Sequence, residues 1–300
     1  MLTISTHIKT NFYAANLDTL YQNNHITPQG KHTIMAINSC LQHTHLKTYF
    51  IYTGKHNPIY YWLKSKNIHT INRNTSHLTQ TINKTYTDQE HQKIALGAWQ
   101  RIDIPIILKQ LQITEKHTLY TDLDTLFTPN WTPHIPIEIP KIACTEERSP
   151  NHYNTGVMIT NTAYMQETYK EFTQHIYQQK LNKYLTWDQD ALNEYYPTET
   201  ITILPRKTWN WTPYINNGKT KQNQAKIIHF HGPKITNIEH LSGMEETPYV
   251  LDTWPLTDPQ KHNIPKDCQI LYNQNPEGYQ QLYKYAQKYL NNQINTRTYN

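Results

Sequence analysis

Between residues 32 and 72 the chain alternates segments of helical and strand periodicity, and that order restricts the folds open to it. Residues 32–43 place Ile34, Ile37 and Leu41 at helical spacing. Residues 46–54 predict a strand rich in β-branched and aromatic side chains that ends at a glycine, 58–67 a short helix, and 68–72 another strand. Residues 2–8 alternate well enough for a preceding strand. Such an order points to a parallel sheet with helical crossovers, an α/β fold. Residues 9–31 hold Asn, Gln, Pro28 and Gly30 and predict a long loop or insertion; polar residues 73–89 predict another loop.

Further along, 90–112 predicts a helix interrupted near Pro105. Strands are expected at 118–123, 141–147, 154–160, 200–205 and 225–232, and helices at 162–182, 187–196 and 278–292. The stripe Met165, Tyr169, Phe172 and Ile176 reads as core packing. Only 37% of the 300 residues are hydrophobic, but 23 Tyr and 7 Trp supply large buried areas, so the chain is expected to fold and not to remain disordered. The net charge of +5, with Lys and Arg scattered, suits an anionic small molecule, and no nucleic-acid partner is expected. Cys40, Cys144 and Cys268 lie far apart, which fits a reducing compartment such as the cytoplasm. No window has the apolar length of a transmembrane helix.

Four stretches carry side chains with chemistry. In 118–127 the predicted strand runs into Asp122 and Asp124, two carboxylates on one face at i and i+2. Like charges that close repel unless neutralised, and a hard divalent cation such as Mg²⁺ or Mn²⁺ would do so. A strand entering a polar turn is the plainer alternative, since Asp is common there. Residues 153–161 place Asn154 before Gly156 and a strand; 186–193 hold Asp188, Gln189 and Asp190; and an apolar strand ends in His229, His231, Gly232 and Lys234. Each alone has an ordinary structural explanation, for example Asp at a helix start as a cap.

Taken together with residues 97–105, and in this order, the stretches resemble the retaining glycosyltransferases of family 8, the group of glycogenin and the bacterial lipopolysaccharide galactosyltransferases. The resemblance spans about residues 32–235 and is greatest to a bacterial subgroup whose last motif reads HFHGPK, with NWTPY shortly before. It implies a single GT-A type nucleotide-diphospho-sugar domain, similar to a Rossmann fold, whose ligand lies beyond the carboxyl ends of the strands. Residues 1–235 would form that domain and 236–300 a C-terminal extension with one helix packed on it.

By the same resemblance, Asp122, Asp124 and His229 would hold Mn²⁺ or Mg²⁺. The nucleotide sugar, with UDP favoured, would meet Arg101, Leu123, Asn154, Gly156, Asp188, Gly232, Lys234 and, as a base-reading residue, Tyr13 together with Asn11. Gln189 and Asp188 would serve the reaction, Gln189 beside the anomeric carbon. The expected activity is transfer of a sugar to a glycan, lipid or protein acceptor with retention of configuration. The alternatives are a non-catalytic nucleotide-sugar or carbohydrate-binding protein on the same scaffold and a nucleotide-sugar hydrolase. Two features depart from the family pattern: only Pro233 separates Gly232 from Lys234, and Ile235-Thr236 replaces the usual Pro-Trp. His231 is expected to shape the loop and not to bind the metal.

Overall fold

A computed structural model describes residues 6–73, 76–147, 151–179, 187–213, 224–231 and 270–290, together with Leu181, Tyr184, Lys234, Ile235 and Ile238. Its sheet is built around the interior strand β1, Thr10–Asn16, in which all seven residues are buried. It is flanked by β2 (Lys47–Thr53) and β3 (His69–Asn72) on one side and by β4 (His117–Thr121) on the other, all parallel. After the short strand β5 (Thr125–Phe127), the strands β6 (Ile142–Glu146), β7 (Tyr153–Asn161) and β8 (Ile201–Ile203) complete the sheet in the order β8-β6-β7-β4-β1-β2-β3. β7 runs antiparallel to both β4 and β6, so the sheet is mostly but not wholly parallel.

The pleat of β1 divides the core. Tyr13 and Ala15 face one layer with Phe50, Tyr52 and the helix α1 (Pro28–His43); Phe12 and Ala14 face the other, with Tyr49, Ile51 and Trp99. α1 begins where Thr27 accepts a hydrogen bond from the Gly30 N–H and Pro28 fills a first-turn position that has no use for a donor. The helices α2 (Pro58–Ser65), α3 (Ser76–Thr85) and α4 (Gln89–Trp99) follow. A 3₁₀ turn at Gln100–Asp103 then leads into α5 (Ile104–Gln110), whose first turn takes Pro105. α6 (Thr162–Gln178), α7 (Asp188–Tyr195) and the single turn α8 (Arg206–Trp209) precede β9 (Ile227–His229). α9 (Pro276–Leu290) lays Tyr279, Leu282, Tyr283 and Ala286 beside Met35, while Asn38 donates to the Tyr289 carbonyl (2.7 Å). Among the described residues, no helix is long and apolar enough to cross a membrane.

Two expectations change. Residues 10–16, expected within a loop or insertion, are an interior strand of the sheet; of residues 2–8 only Thr6–His7 is strand among the described residues, paired with His134–Ile135. Asn11 of β1 misled because it is satisfied internally, donating to the Thr121 hydroxyl (3.0 Å) across the strand pair. Within 73–89, expected as a loop, the chain forms α3. Gly232, Pro233, Thr236 and Cys268 lie outside the described residues.

Candidate functional site

Asp122, Leu123 and Asp124 occupy the turn between β4 and β5, just beyond the carboxyl end of the sheet, and are not on a strand face as their spacing alone suggests. The turn is held by the Thr125 hydroxyl donating to the Asp122 carbonyl (2.7 Å) and by the Asp122 N–H donating to the Gly156 carbonyl (2.8 Å). β5 then pairs antiparallel with β9, Thr125 opposite His229. This pairing, with Phe230 N–H donating to the Asp124 carbonyl (2.8 Å), brings His229 against the carboxylates across a long gap in sequence.

His229 Nε2 stands 3.2 Å from an Asp124 oxygen and 3.8 Å from an Asp122 oxygen, and donor atoms of all three lie within 4.8 Å of one another. Neighbouring ligands of an octahedral ion with bonds of about 2.1 Å stand about 3 Å apart, so the group is compact enough to close on one cation. One imidazole and two carboxylates suit Mn²⁺ or Mg²⁺ better than a soft metal. Gly156 opens the space: a Cβ there would sit 2.4 Å from His229 Cε1 and 2.6 Å from Asp122 Oδ2. Lys234 ion-pairs with Asp124. Burial alone would raise the Asp124 pKa, but the Lys234 ammonium and His229 hold it well below the usual carboxylate range.

Arg101 lies in the 3₁₀ turn ahead of α5 and is only 6% exposed. Its guanidinium ion-pairs with Asp188, donates to Asp122 (3.3 Å), the Thr155 carbonyl (3.0 Å) and the Thr155 hydroxyl (2.8 Å), and lies 4.8 Å from the Tyr120 ring centre. Asp188 opens α7, where the helix N-terminus favours a carboxylate. Arg101 therefore ties three segments together behind the carboxylates. An Arg101→Met variant leaves Asp188, 2% exposed, without its counter-charge. Chemical denaturation is expected to show a loss of about 3–5 kcal/mol.

Gln189 accepts the Thr155 N–H on its amide oxygen (3.1 Å), which keeps one of that oxygen's two lone pairs. Asn154, 2% exposed, is engaged at both ends of its amide, so it braces the wall and does not present a free group. Tyr13 is completely buried, its hydroxyl on the Ala36 carbonyl (3.3 Å), and Asn11 is equally buried; neither can read a base. The pleat that builds the core on α1 removes Tyr13 from the ligand surface. Trp209 and Trp211 are core residues and not sugar-stacking platforms. Candidate residues Asp122, Leu123, Asp124, Arg101, Asn154, Gly156, Asp188, Gln189, His229 and Lys234 thus come together, and Tyr13 does not.

Three further residues contribute to the site. Asn210 accepts from His229 Nδ1 (2.9 Å) and donates to Asn154 Oδ1 (2.7 Å) and to the Thr145 hydroxyl (3.0 Å). Glu147 accepts from Asn154 Nδ2 (2.6 Å) and pairs with Arg206 (3.6 Å). His231 Nδ1 lies 3.8 Å from Glu147, and burial beside His229 pushes its pKa down to about 4. Asn210 was foreshadowed by its place in the NWTPY stretch and His231 by its place in HFHGPK, whereas Glu147 was not.

No protein-family profile and no curated protein sequence matches the chain. Solved structures do match in fold. The galactosyltransferase LgtC in complex with donor and acceptor sugar analogs aligns with a TM-score of 0.55 at 12% identity, over 86% of this chain and 95% of that one. An active-site mutant of LgtC aligns at 0.53 and 15% identity, over 76% and 89%. The apo-form glycosyltransferase GlyE of Streptococcus pneumoniae aligns at 0.51 and 12% identity, over 89% of this chain but 62% of that one. The chain has the GT-A fold of these glycosyltransferases.

Proposed function

We propose that the chain is a metal-dependent glycosyltransferase that moves a sugar from a nucleotide-diphosphate donor, with UDP favoured, to a glycan, lipid or protein acceptor. The observation that carries this reading is the convergence of Asp122, Asp124 and His229 at the carboxyl end of β4 in a GT-A fold. Ligands of such sheets gather there. The family resemblance in sequence favours retention of configuration and residues 236–300 as an extension of the domain, and the scattered cysteines favour a reducing compartment such as the cytoplasm.

In this reading Asp122, Asp124 and His229 hold Mn²⁺ or Mg²⁺, which supplies Lewis acidity at the diphosphate leaving group. Lys234, beside Asp124, adds positive charge where the departing diphosphate gathers negative charge. Gln189 offers the remaining lone pair of its amide oxygen to the sugar as positive charge develops there. Arg101 keeps Asp122 and Asp188 in register and excludes water behind them.

The test is release of nucleotide from a panel of UDP- and GDP-sugars with and without Mn²⁺, followed by transfer to added acceptors. One donor is expected to turn over in a Mn²⁺-dependent way, with the sugar found on an acceptor in its original anomeric form by NMR. Nucleotide binding without turnover would mark a binding protein. Release that no acceptor increases would mark a hydrolase.

A further inference from the structure

Which nitrogen of His229 is free to take a metal is decided by hydrogen bonds that begin at a backbone group. The Gly156 N–H can only donate, and it donates to one end of the Asn154 side-chain amide (3.1 Å). That end is therefore the oxygen, and the other end, Nδ2, points at Glu147 (2.6 Å). Glu147 is a suitable terminus, since it faces the Asn154 NH₂ and pairs with the Arg206 guanidinium (3.6 Å).

The Asn154 oxygen also meets one end of the Asn210 amide (2.7 Å), which must then be the NH₂ end. The Thr145 hydroxyl beside that NH₂ can accept from it as well (3.0 Å). The oxygen of Asn210 faces His229 Nδ1 (2.9 Å), and an oxygen that only accepts requires Nδ1 to carry the proton. Asn210, Asn154 and His229 are at most 2% exposed, so water does not compete for these bonds.

We propose that His229, Asn210, Asn154 and Glu147 form a one-directional hydrogen-bond chain that fixes His229 as the Nδ1–H tautomer, with Asn210 the positioning residue. Every amide donates toward Glu147 and accepts from the side of His229. Nε2 is then the nitrogen left for a metal, and it faces Asp122 and Asp124. Partners of this kind fix the ring of a ligating histidine and raise its basicity. The consequence for metal binding rests on the function proposed above; the tautomer itself does not.

The test uses metal-free, full-length protein with ¹⁵N-labelled histidine, at a pH well above the ordinary imidazole titration. Long-range ¹H–¹⁵N spectra should show His229 with Nδ1 protonated, whether or not Nε2 also holds a proton against Asp124. Asn210→Leu should let the other tautomer appear and weaken Mn²⁺ binding, read by electron paramagnetic resonance, by about 10- to 100-fold. Asn210→Asp, which still accepts from Nδ1–H but can no longer donate to Asn154, should keep the native tautomer and lose less affinity than Asn210→Leu. Packing alone predicts equal losses in the two variants, and that result would overturn the proposal. So would a native protein that carries a proton on Nε2 and none on Nδ1; this readout stands even if Asn210→Leu does not fold. The native tautomer in a protein that binds no Mn²⁺ would support the chain and sink the metal reading instead.

Discussion

An Asp124→Asn variant is expected to lose Mn²⁺-dependent release of nucleotide by about a thousandfold, because a catalytic metal contributes several kcal/mol to the leaving-group step and each 1.36 kcal/mol is a factor of ten. The substitution keeps size and shape, so core packing is not at issue. What it removes is the charge that His229 Nε2, at 3.2 Å, and Lys234 both face. A neutral amide can still offer its oxygen, but it neither attracts a divalent cation comparably nor balances the lysine. Asp122 cannot replace it, since Arg101 shares that carboxylate and 3.8 Å separates it from His229. The measurement is released nucleotide at saturating donor across a Mn²⁺ titration. A shift to higher metal demand with the same maximal rate would mean that Asp124 holds the ion without acting on the step. An unchanged rate at all concentrations would remove Asp124 from the centre.

The sequence was legible where chemistry is local. Asp122 and Asp124 are two residues apart, and their closeness follows from any compact backbone between them, whether strand or the turn that is found. The crossover order of β2, α2 and β3 follows from periodicity in the same way. β1 was not legible, because a buried central strand ordinarily reads as an apolar run and this one is flanked by Thr10, Asn11 and Asn16. Those polar groups are acceptable only once β4 supplies Thr121 as a partner for Asn11. Asn210 and Glu147 were hidden for a related reason. Their bonds to His229 and Asn154 join β6, β7, the segment after α8 and β9, and an amide that serves such a junction has no spacing of its own to reveal it. Tyr13 failed in the opposite sense: the family resemblance suggested a base contact, but the pleat turns it inward.

A Gly156→Ala variant is expected to damage the site more than the fold. The backbone at Gly156 does not require a positive φ, so alanine meets no conformational penalty there. The added methyl would instead stand 2.4 Å from His229 Cε1 and 2.6 Å from Asp122 Oδ2, well inside contact distance. His229 has little room to withdraw, because β5 holds its backbone and Asn210 its ring. Asp122 is half-buried and can turn outward, and doing so takes one carboxylate away from the other two ligands. Overpacking of this size costs about 1–3 kcal/mol, less than most domains have in reserve, so the variant should fold. Its urea midpoint should fall modestly while Mn²⁺ affinity and nucleotide release fall at least 100-fold, the scale set by displacing a ligand and not merely its support. Equal, modest losses in both would place the strain elsewhere in β7. Full activity would mean that Asp122 works from a position farther from Gly156, and the three-ligand centre would have to be redrawn around Asp124 and His229.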